Sequence, residues 1–342
     1  MSLNSSWVKG DAPSSVDVDA IMDHVVIVFY TLTIVLGITG NSVVIWMTGF
    51  KLKPNVTNVW LVNLAVADLI FCFTRIFSLL KKLFFTYWPF GTFLCKFNGF
   101  FKYANMFCSV FLLAAISLDR AVCVWLPVFA KRRRTLWTAR CVSVCIWVSA
   151  VIFSTPYFIY RQVYLAKGNL SKCSLEVKES GDGSQTPKLA LYSIRFLCGF
   201  LLPFLVILTC YILAAVGIKR TRLLGKKRSL RIVASLVIAF FLCWGPYHCL
   251  LLVKMIDSKN ILVKVWHPIA KCVAYFNSCV NPLLYFCMGL SGGRGLRQSL
   301  TKVYRRALAN DVDADVQASM DDSSASKNTS LTPRTNEGKA RI

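Results

Sequence analysis

Asn41, Asp68, Asn105, Ser109, Asn277 and Asn281 are polar residues set inside otherwise apolar runs. An isolated charge at bilayer depth costs at least about 2.5–3.5 kcal/mol, so Asp68 needs partners. Asn105 and Ser109 share a helical face at i, i+4. A common cluster holding waters or a sodium ion would satisfy all six; private bonds to neighbouring backbone are the alternative. A second group is cationic: Arg75, Lys102, Arg161, Arg195 and Lys271 lie toward one side of the apolar runs, with no intramembrane acid to pair them. Snorkelling to headgroups accounts for any one near a boundary. Arg195, about two turns before Pro203, is harder to place that way. A guanidinium fork binds a carboxylate in bidentate fashion, so this group points to recognition of an anion. Catalysis finds no such footing: there is no HExxH or GxSxG motif, and the histidines are His24, His248 and His267 alone.

The elements that must carry these residues are membrane spans. The 342-residue chain is 56% hydrophobic, yet holds 40 Lys+Arg against 16 Asp+Glu. A soluble chain this basic would point to nucleic acid. Here the bases flank long apolar runs, so the partner is a membrane. The spacing predicts an all-α membrane protein with spans over Val25–Met47, Val59–Leu83, Gly91–Trp125, Ala139–Tyr160, Leu189–Gly217, Ile232–Ile256 and Ile261–Met288. Basic connections at Lys51–Lys53, Lys131–Arg134 and Lys219–Arg231 place those loops in the cytoplasm. The N-terminus is then expected outside the cell and the C-terminus inside. The chain divides into an extracellular segment 1–24, a membrane domain 25–288, an amphipathic surface helix 289–308 and a disordered tail 309–342.

The third span is the axis. Cys95 near one end meets the oxidising exterior, and Asp119-Arg120 reaches the inner surface. Cys95 and Cys173 are the two cysteines of 14 that fall outside, so a disulfide between them is expected. Asn4 and Asn169 head glycosylation motifs on the same side. Pro203, Pro246 and Pro282 interrupt backbone hydrogen bonds within spans, beside Trp244 and Asn281. That combination reads as a bundle built to move.

Asn41, the run Asn63 to Asp68, Trp88-Pro89-Phe90-Gly91, Cys95, Asp119-Arg120, Trp147, Pro203 with Tyr211, Cys243-Trp244-Gly245-Pro246 and Asn281-Pro282 with Tyr285 together resemble a rhodopsin-type G-protein-coupled receptor. The resemblance covers roughly residues 25–307. Asn105-Met106-Phe107, Ser117 to Arg120, Pro156 to Arg161 and Asn277-Ser278-Cys279 resemble its chemoattractant branch, which includes formyl-peptide, complement anaphylatoxin, chemerin and prostaglandin D receptors.

The resemblance implies a seven-helix receptor with a short eighth helix, in the plasma membrane, with no enzymatic activity. It matches Asp68, Asn105, Ser109, Asn277 and Asn281 to the family's sodium site, with no other cofactor. Trp244 matches a switch beneath the ligand. Asp119, Arg120, Pro127, Tyr211, Pro246, Asn281, Pro282 and Tyr285 match the groups that rearrange to admit a G protein, of the inhibitory class by analogy. Ligand binding falls to Lys102, Arg161, Arg195, Trp244, Tyr247 and Lys271, with Arg161 and Arg195 on a ligand carboxylate. A chemoattractant peptide or protein is the first reading and a lipid carboxylate the second. Ser323, Ser324, Ser326, Thr329 and Ser330 are candidates for a receptor kinase, with arrestin as the reader. Three departures stand out. Ala121 replaces the usual tyrosine or cysteine after Asp-Arg, which opens the reading of a decoy receptor. The formyl-peptide receptors' pocket aspartate falls at Tyr103. A retinal lysine falls at Tyr275.

Overall fold

A computed structural model describes residues 18–166, 170–175, 186–221, 227–257 and 260–290. The helices are α1 (Val18–Trp46), α2 (Val56–Phe84), α3 (Gly91–Trp125), α4 (Pro127–Arg133), α5 (Leu136–Ile159), α6 (Thr186–Phe196), α7 (Leu202–Thr221), α8 (Lys227–Ile256) and α9 (Ile261–Leu290). A hairpin of β1 (Arg161–Ala166) and β2 (Leu170–Leu175) follows α5. Among the described residues, six segments are long and apolar enough to cross a membrane. The seventh span is α9, which is 30 residues long but carries Lys264, His267 and Lys271 within its first half. Helices dominate because lipid offers backbone groups no water, so each must be bonded within its own segment.

Local sequence sets the ends. Asn55 caps α2 by accepting from the Asn58 amide at 2.7 Å, and Thr135 caps α5 from the Thr138 amide at 3.1 Å. Pro127 opens α4, where its missing N–H is no loss. The fifth span is α6 and α7 joined by a π-helical turn at Leu197–Leu201. Pro203 follows it and cannot donate to the carbonyl of Gly199, so the widened turn sits where the proline ring would otherwise clash. A second π-helical turn, Met47–Lys51, ends the first span.

α3 is central. It packs against α2, α5, α7, α8 and the hairpin, and buries Asn105, Ser109 and Ser117 among apolar side chains. Large apolar side chains such as Val35, Phe73, Ile152, Leu205 and Leu242 face outward around the bundle, as a lipid belt requires. Cys95 and Cys173 form the expected disulfide, binding β2 to α3. The hairpin pairs Val163 with Cys173 in antiparallel register, and Trp88 N–H donates to the Ser171 carbonyl at 2.8 Å.

Two differences from the sequence expectations are local. α1 begins at Val18, inside the 1–24 segment expected to precede the first span, and Asp23 on it pairs with Lys82 of α2. The hairpin was not foreseen, because its side chains do not alternate in polarity. Asn4, Asn169, the tail serines and threonines, and the surface helix beyond Leu290 lie outside the described residues.

Where α1 meets α9, Gly40 lets the backbones approach. A β-carbon there would lie 2.7 Å from Pro282 Cβ, a rigid ring that cannot step aside. Gly40→Ala should therefore destabilise the bundle by about 1–3 kcal/mol. Gly49→Ala, at a site with nothing within 4 Å, serves as control. Thermal unfolding of the purified proteins checks this; equal melting of the two variants would remove the close approach as a constraint.

Candidate functional site

The hairpin end of the bundle opens into a cavity of about 1090 Å³ reached by α1, α2, α3, α6, α8, α9 and both strands. Five of the sequence candidates line it: Lys102, Arg161, Arg195, Tyr247 and Lys271. Trp244 does not. It is 1% exposed and packs beneath Tyr247, ring centroids 5.8 Å apart, with Phe240 below it in turn at 6.1 Å. Tyr247, one turn nearer the mouth, covers it.

Each cation is held differently. Arg195 is 2% exposed. Its Nη1 donates to the hydroxyls of Tyr103 at 2.6 Å and Tyr247 at 2.8 Å. Its guanidinium also lies 4.9 Å from the centroid of the Tyr192 ring. Lys102 sits 5.0–5.3 Å from the ring centroids of Tyr103, Tyr247 and Tyr275, a cation–π cage that partly replaces lost hydration. Arg161 begins β1 and is half-buried. Its side chain crosses α3 at Gly99, where a β-carbon would stand 2.3 Å from Arg161 Cδ, and its Nε donates to Cys173 Sγ at 3.2 Å. Arg161 and Arg195 thus line one cavity from different walls.

Tyr103, which the sequence reading did not place in the site, belongs here, as does Arg75 of the cationic group. Tyr103, the next residue after Lys102 on α3, stacks on Tyr157 at 3.7 Å between centroids and bonds Arg195. Arg75 of α2 is 3% exposed; its Nη2 donates to Asn98 O at 3.0 Å and contacts Asn98 Oδ1. The signal for both was present in the sequence as a tyrosine and a base in apolar runs, but their pairing was not. The single acid among the cavity's lining residues is Asp23, already paired with Lys82.

Deeper in the bundle, Asp68 is fully buried. Asn105 Nδ2 donates to its Oδ1 and Asn281 Nδ2 to its Oδ2, each at 2.8 Å. Asn41 departs from the expected common cluster: its amide donates to the carbonyls of Gly37 and Ser278, both at 2.9 Å. Its place on α1, against the α9 backbone, puts those carbonyls nearer than the carboxylate. Ser109 Oγ and Asn277 Oδ1 are buried without a hydrogen-bond partner. They stand one turn along from Asn105 on α3 and Asn281 on α9. A buried carboxylate met by neutral donors, with two oxygens left over nearby, has the donor chemistry of a hard monovalent cation site. Among the described residues no His/Cys/Asp/Glu cluster suits a transition metal.

At the opposite end, Asp119 pairs with Arg120 at 3.2 Å and with Arg134 of the α4–α5 link at 3.0 Å. Arg120 Nη2 and Arg134 Nη2 both donate to Thr57 Oγ1, at 2.5 and 3.1 Å. The sequence showed Asp119-Arg120 and the basic run, but not that Arg134 folds back onto the aspartate. Trp147 Nε1 donates to Asn63 Oδ1 at 2.9 Å, tying α5 to α2. Tyr211 and Tyr285 pack into the core near this end, Tyr285 fully buried and Tyr211 partly so.

The model for the seven-transmembrane receptor (rhodopsin family) matches residues 40–285. A C3a anaphylatoxin chemotactic receptor of Oncorhynchus mykiss is 37% identical over 290 residues, 84% of this chain and 79% of its own length. A formyl peptide receptor 2 of Mus musculus is 37% identical over 301 residues, 83% of this chain and 85% of its own. A chemerin-like receptor 1 of Sus scrofa is 36% identical over 277 residues, 77% and 76% respectively.

The Asp119–Arg134 bridge is half-shielded, so a double-mutant cycle of Asp119→Asn and Arg134→Gln should give a coupling of about 1 kcal/mol in thermal or denaturant unfolding. Arg133, exposed at the end of α4, should couple to Asp119 negligibly. Additive Asp119 and Arg134 effects would mean the bridge contributes nothing.

Proposed function

Because the chain belongs to the rhodopsin family of seven-transmembrane receptors, we propose that this multi-pass plasma-membrane protein is a receptor for a chemoattractant peptide or protein whose anionic end enters the hairpin-end cavity. The observation that carries the reading is a cavity lined by Arg161, Arg195, Lys102 and Lys271 in which the single lining acid is already paired. A cationic cavity of that depth favours an anionic partner, and relatives named for anaphylatoxin, formyl peptide and chemerin recognition favour a peptide or protein over a lipid carboxylate. The orientation that fits has the disulfide and hairpin outside the cell, and the basic loops with the C-terminus inside.

Ligand in the cavity stabilises one arrangement of Tyr247 and, through ring contact, of Trp244. A shift follows only from different affinity for two arrangements. Pro246 beside Trp244 and Pro282 beside Asn281 each remove a backbone hydrogen bond from their helix, the Ser278 carbonyl opposite Pro282 taking the Asn41 amide instead, so α8 and α9 bend there at lower cost than elsewhere. The expected movement carries the inner part of α8 outward and exposes Arg120, Pro127 and Tyr211 to a G-protein α subunit, of the inhibitory class. Tyr285 on α9 lies in the same core and joins that rearrangement. Asp68, Asn105, Ser109, Asn277 and Asn281 would hold a sodium ion; the ion supplies a positive charge that favours the unliganded packing of α2, α3 and α9. The helix over 289–308 would lie on the inner leaflet. The serines and threonines from Ser323 to Ser330 would accept phosphate from a receptor kinase and be read by arrestin. Asn4 and Asn169 would carry glycans.

Nucleotide exchange on purified receptor, stimulated by a panel of chemoattractant peptides, tests the signalling assignment. Agonist-dependent exchange is the expected outcome. Binding with no exchange would transfer the chain to the decoy reading that Ala121 raises. Arg195→Ala should reduce the potency of a carboxylate-ended agonist at least tenfold, about 1.4 kcal/mol; unchanged potency would remove Arg195 from the site. Asp68→Asn should abolish the suppression of agonist affinity by sodium over potassium, read in a radioligand competition. Persistence of that suppression would place the ion elsewhere.

A further inference from the structure

Three cations, Arg75 on α2, Lys102 on α3 and Arg195 on α6, are buried around this cavity, and one anionic group cannot serve them all. Arg195 and Arg75 keep their charge, since a guanidinium does not lose its proton in a protein. Arg195 stands between α3 and α8, bonded to the hydroxyls of Tyr103 and Tyr247, and its Nε has no partner. Arg75 stands between α2, α3 and α9. Its Nη2 spends itself on the neutral acceptors of Asn98 and Thr74, its guanidinium lies 4.7 Å from the Phe71 ring centroid and 5.1 Å from that of Tyr275, and its Nε too has no partner. No ring borders both arginines. Lys102 lies between them, sharing Tyr103 and Tyr247 with Arg195 and Tyr275 with Arg75. Among the described residues no acid meets any of the three.

Removing a charge from water without a counter-charge costs several kcal/mol per ion, and cation–π contact recovers only part of it. A bidentate carboxylate occupies one fork. An acid seated on Arg195 therefore leaves Arg75 uncompensated on the far side of Lys102.

We propose that Arg75 and Lys102, beside Tyr275, form a second anion subsite, and that the ligand carries two separate acids: a terminal carboxylate on Arg195 and a second acidic group on Arg75 and Lys102. The inference rests on the reading of Arg195 as a carboxylate anchor. It names the ligand class as dianionic, either a peptide with an acidic side chain close to its free C-terminus or an aliphatic diacid. Discrimination arises because a neutral group at the second subsite leaves a desolvated arginine unpaired, whereas an acid there removes the penalty. Lys271, one turn from Tyr275 on α9, borders the same corner and adds to its positive potential.

The test uses the full-length receptor purified in detergent, with probes of fixed composition: acetyl-Glu-Ala-Leu, acetyl-Gln-Ala-Leu, the C-terminal amide of the first, and heptanedioate against heptanoate. Binding is read from the concentration dependence of the shift in melting temperature. For the wild type, the probe with two acids should bind roughly tenfold or more tighter than its one-acid counterpart. R75Q and K102Q should erase that advantage. Neither substitution strands a buried anion, and a cooperative melting transition without probe shows that each variant is folded. R195Q should weaken every probe that has a free terminal carboxylate. An advantage seen with the peptide pair alone identifies an acidic peptide, and one seen with the heptanoate pair alone an aliphatic diacid. Equal binding of one-acid and two-acid probes to the wild type, or an advantage that survives in R75Q and K102Q, overturns the second subsite. One-acid binding that ignores R195Q, or no binding of any carboxylate, instead overturns the Arg195 anchor on which it rests.

Discussion

Charge placed where water cannot follow is the constraint on which this structure depends. In lipid every backbone N–H and C=O must be bonded within its own segment, so the bundle is helical and polar work passes to a few side chains. Those side chains sort by sign and depth. Cations gather around the cavity at the hairpin end, one carboxylate lies in the middle of the bundle, and an acid–base network closes the other end. Each sign is compensated differently: tyrosine rings and hydroxyls for the cations, amide donors for Asp68, and facing ions for Asp119.

α3 ties the three levels together. Lys102 and Tyr103 reach the cavity from it, Asn105 meets Asp68 one turn below Lys102, and Asp119-Arg120 end it. The disulfide from Cys95 anchors its far end to the hairpin. A long helix held at both ends is a stiff reference against which α8 and α9 can bend at Pro246 and Pro282. The π-helical turn before Pro203 gives the fifth span its own point of adjustment, close to Arg195.

The tyrosines are the structural answer to a cavity without acids. The rings of Tyr103, Tyr247 and Tyr275 each border two of the cations, and the first two also give their hydroxyls to Arg195. Such an arrangement holds the cations in place while leaving their charge unneutralised, so it preserves an attraction for an incoming anion that an internal salt bridge would quench. The same logic is inverted at Asp119, where Arg134 and Arg120 neutralise the acid.

What the sequence determined by itself was whatever depends on a residue's own transfer energy or on its near neighbours. Long apolar runs with basic flanks specify spans, and the cysteine count outside the spans specifies a disulfide. The grouping of Asp68 with Asn105 and Asn281 was also legible, because a carboxylate in lipid must find donors and few were on offer. Only the tertiary structure decided which polar groups meet. Asn41 turned to backbone instead of to Asp68, Arg134 folded back onto Asp119, Trp244 fell beneath Tyr247, and Arg75 joined Lys102 across a tyrosine of α9. Those outcomes depend on the rotation of each helix about its axis, and that rotation is set by packing between segments far apart in the chain, as at Gly40 against Pro282 and Gly99 against Arg161.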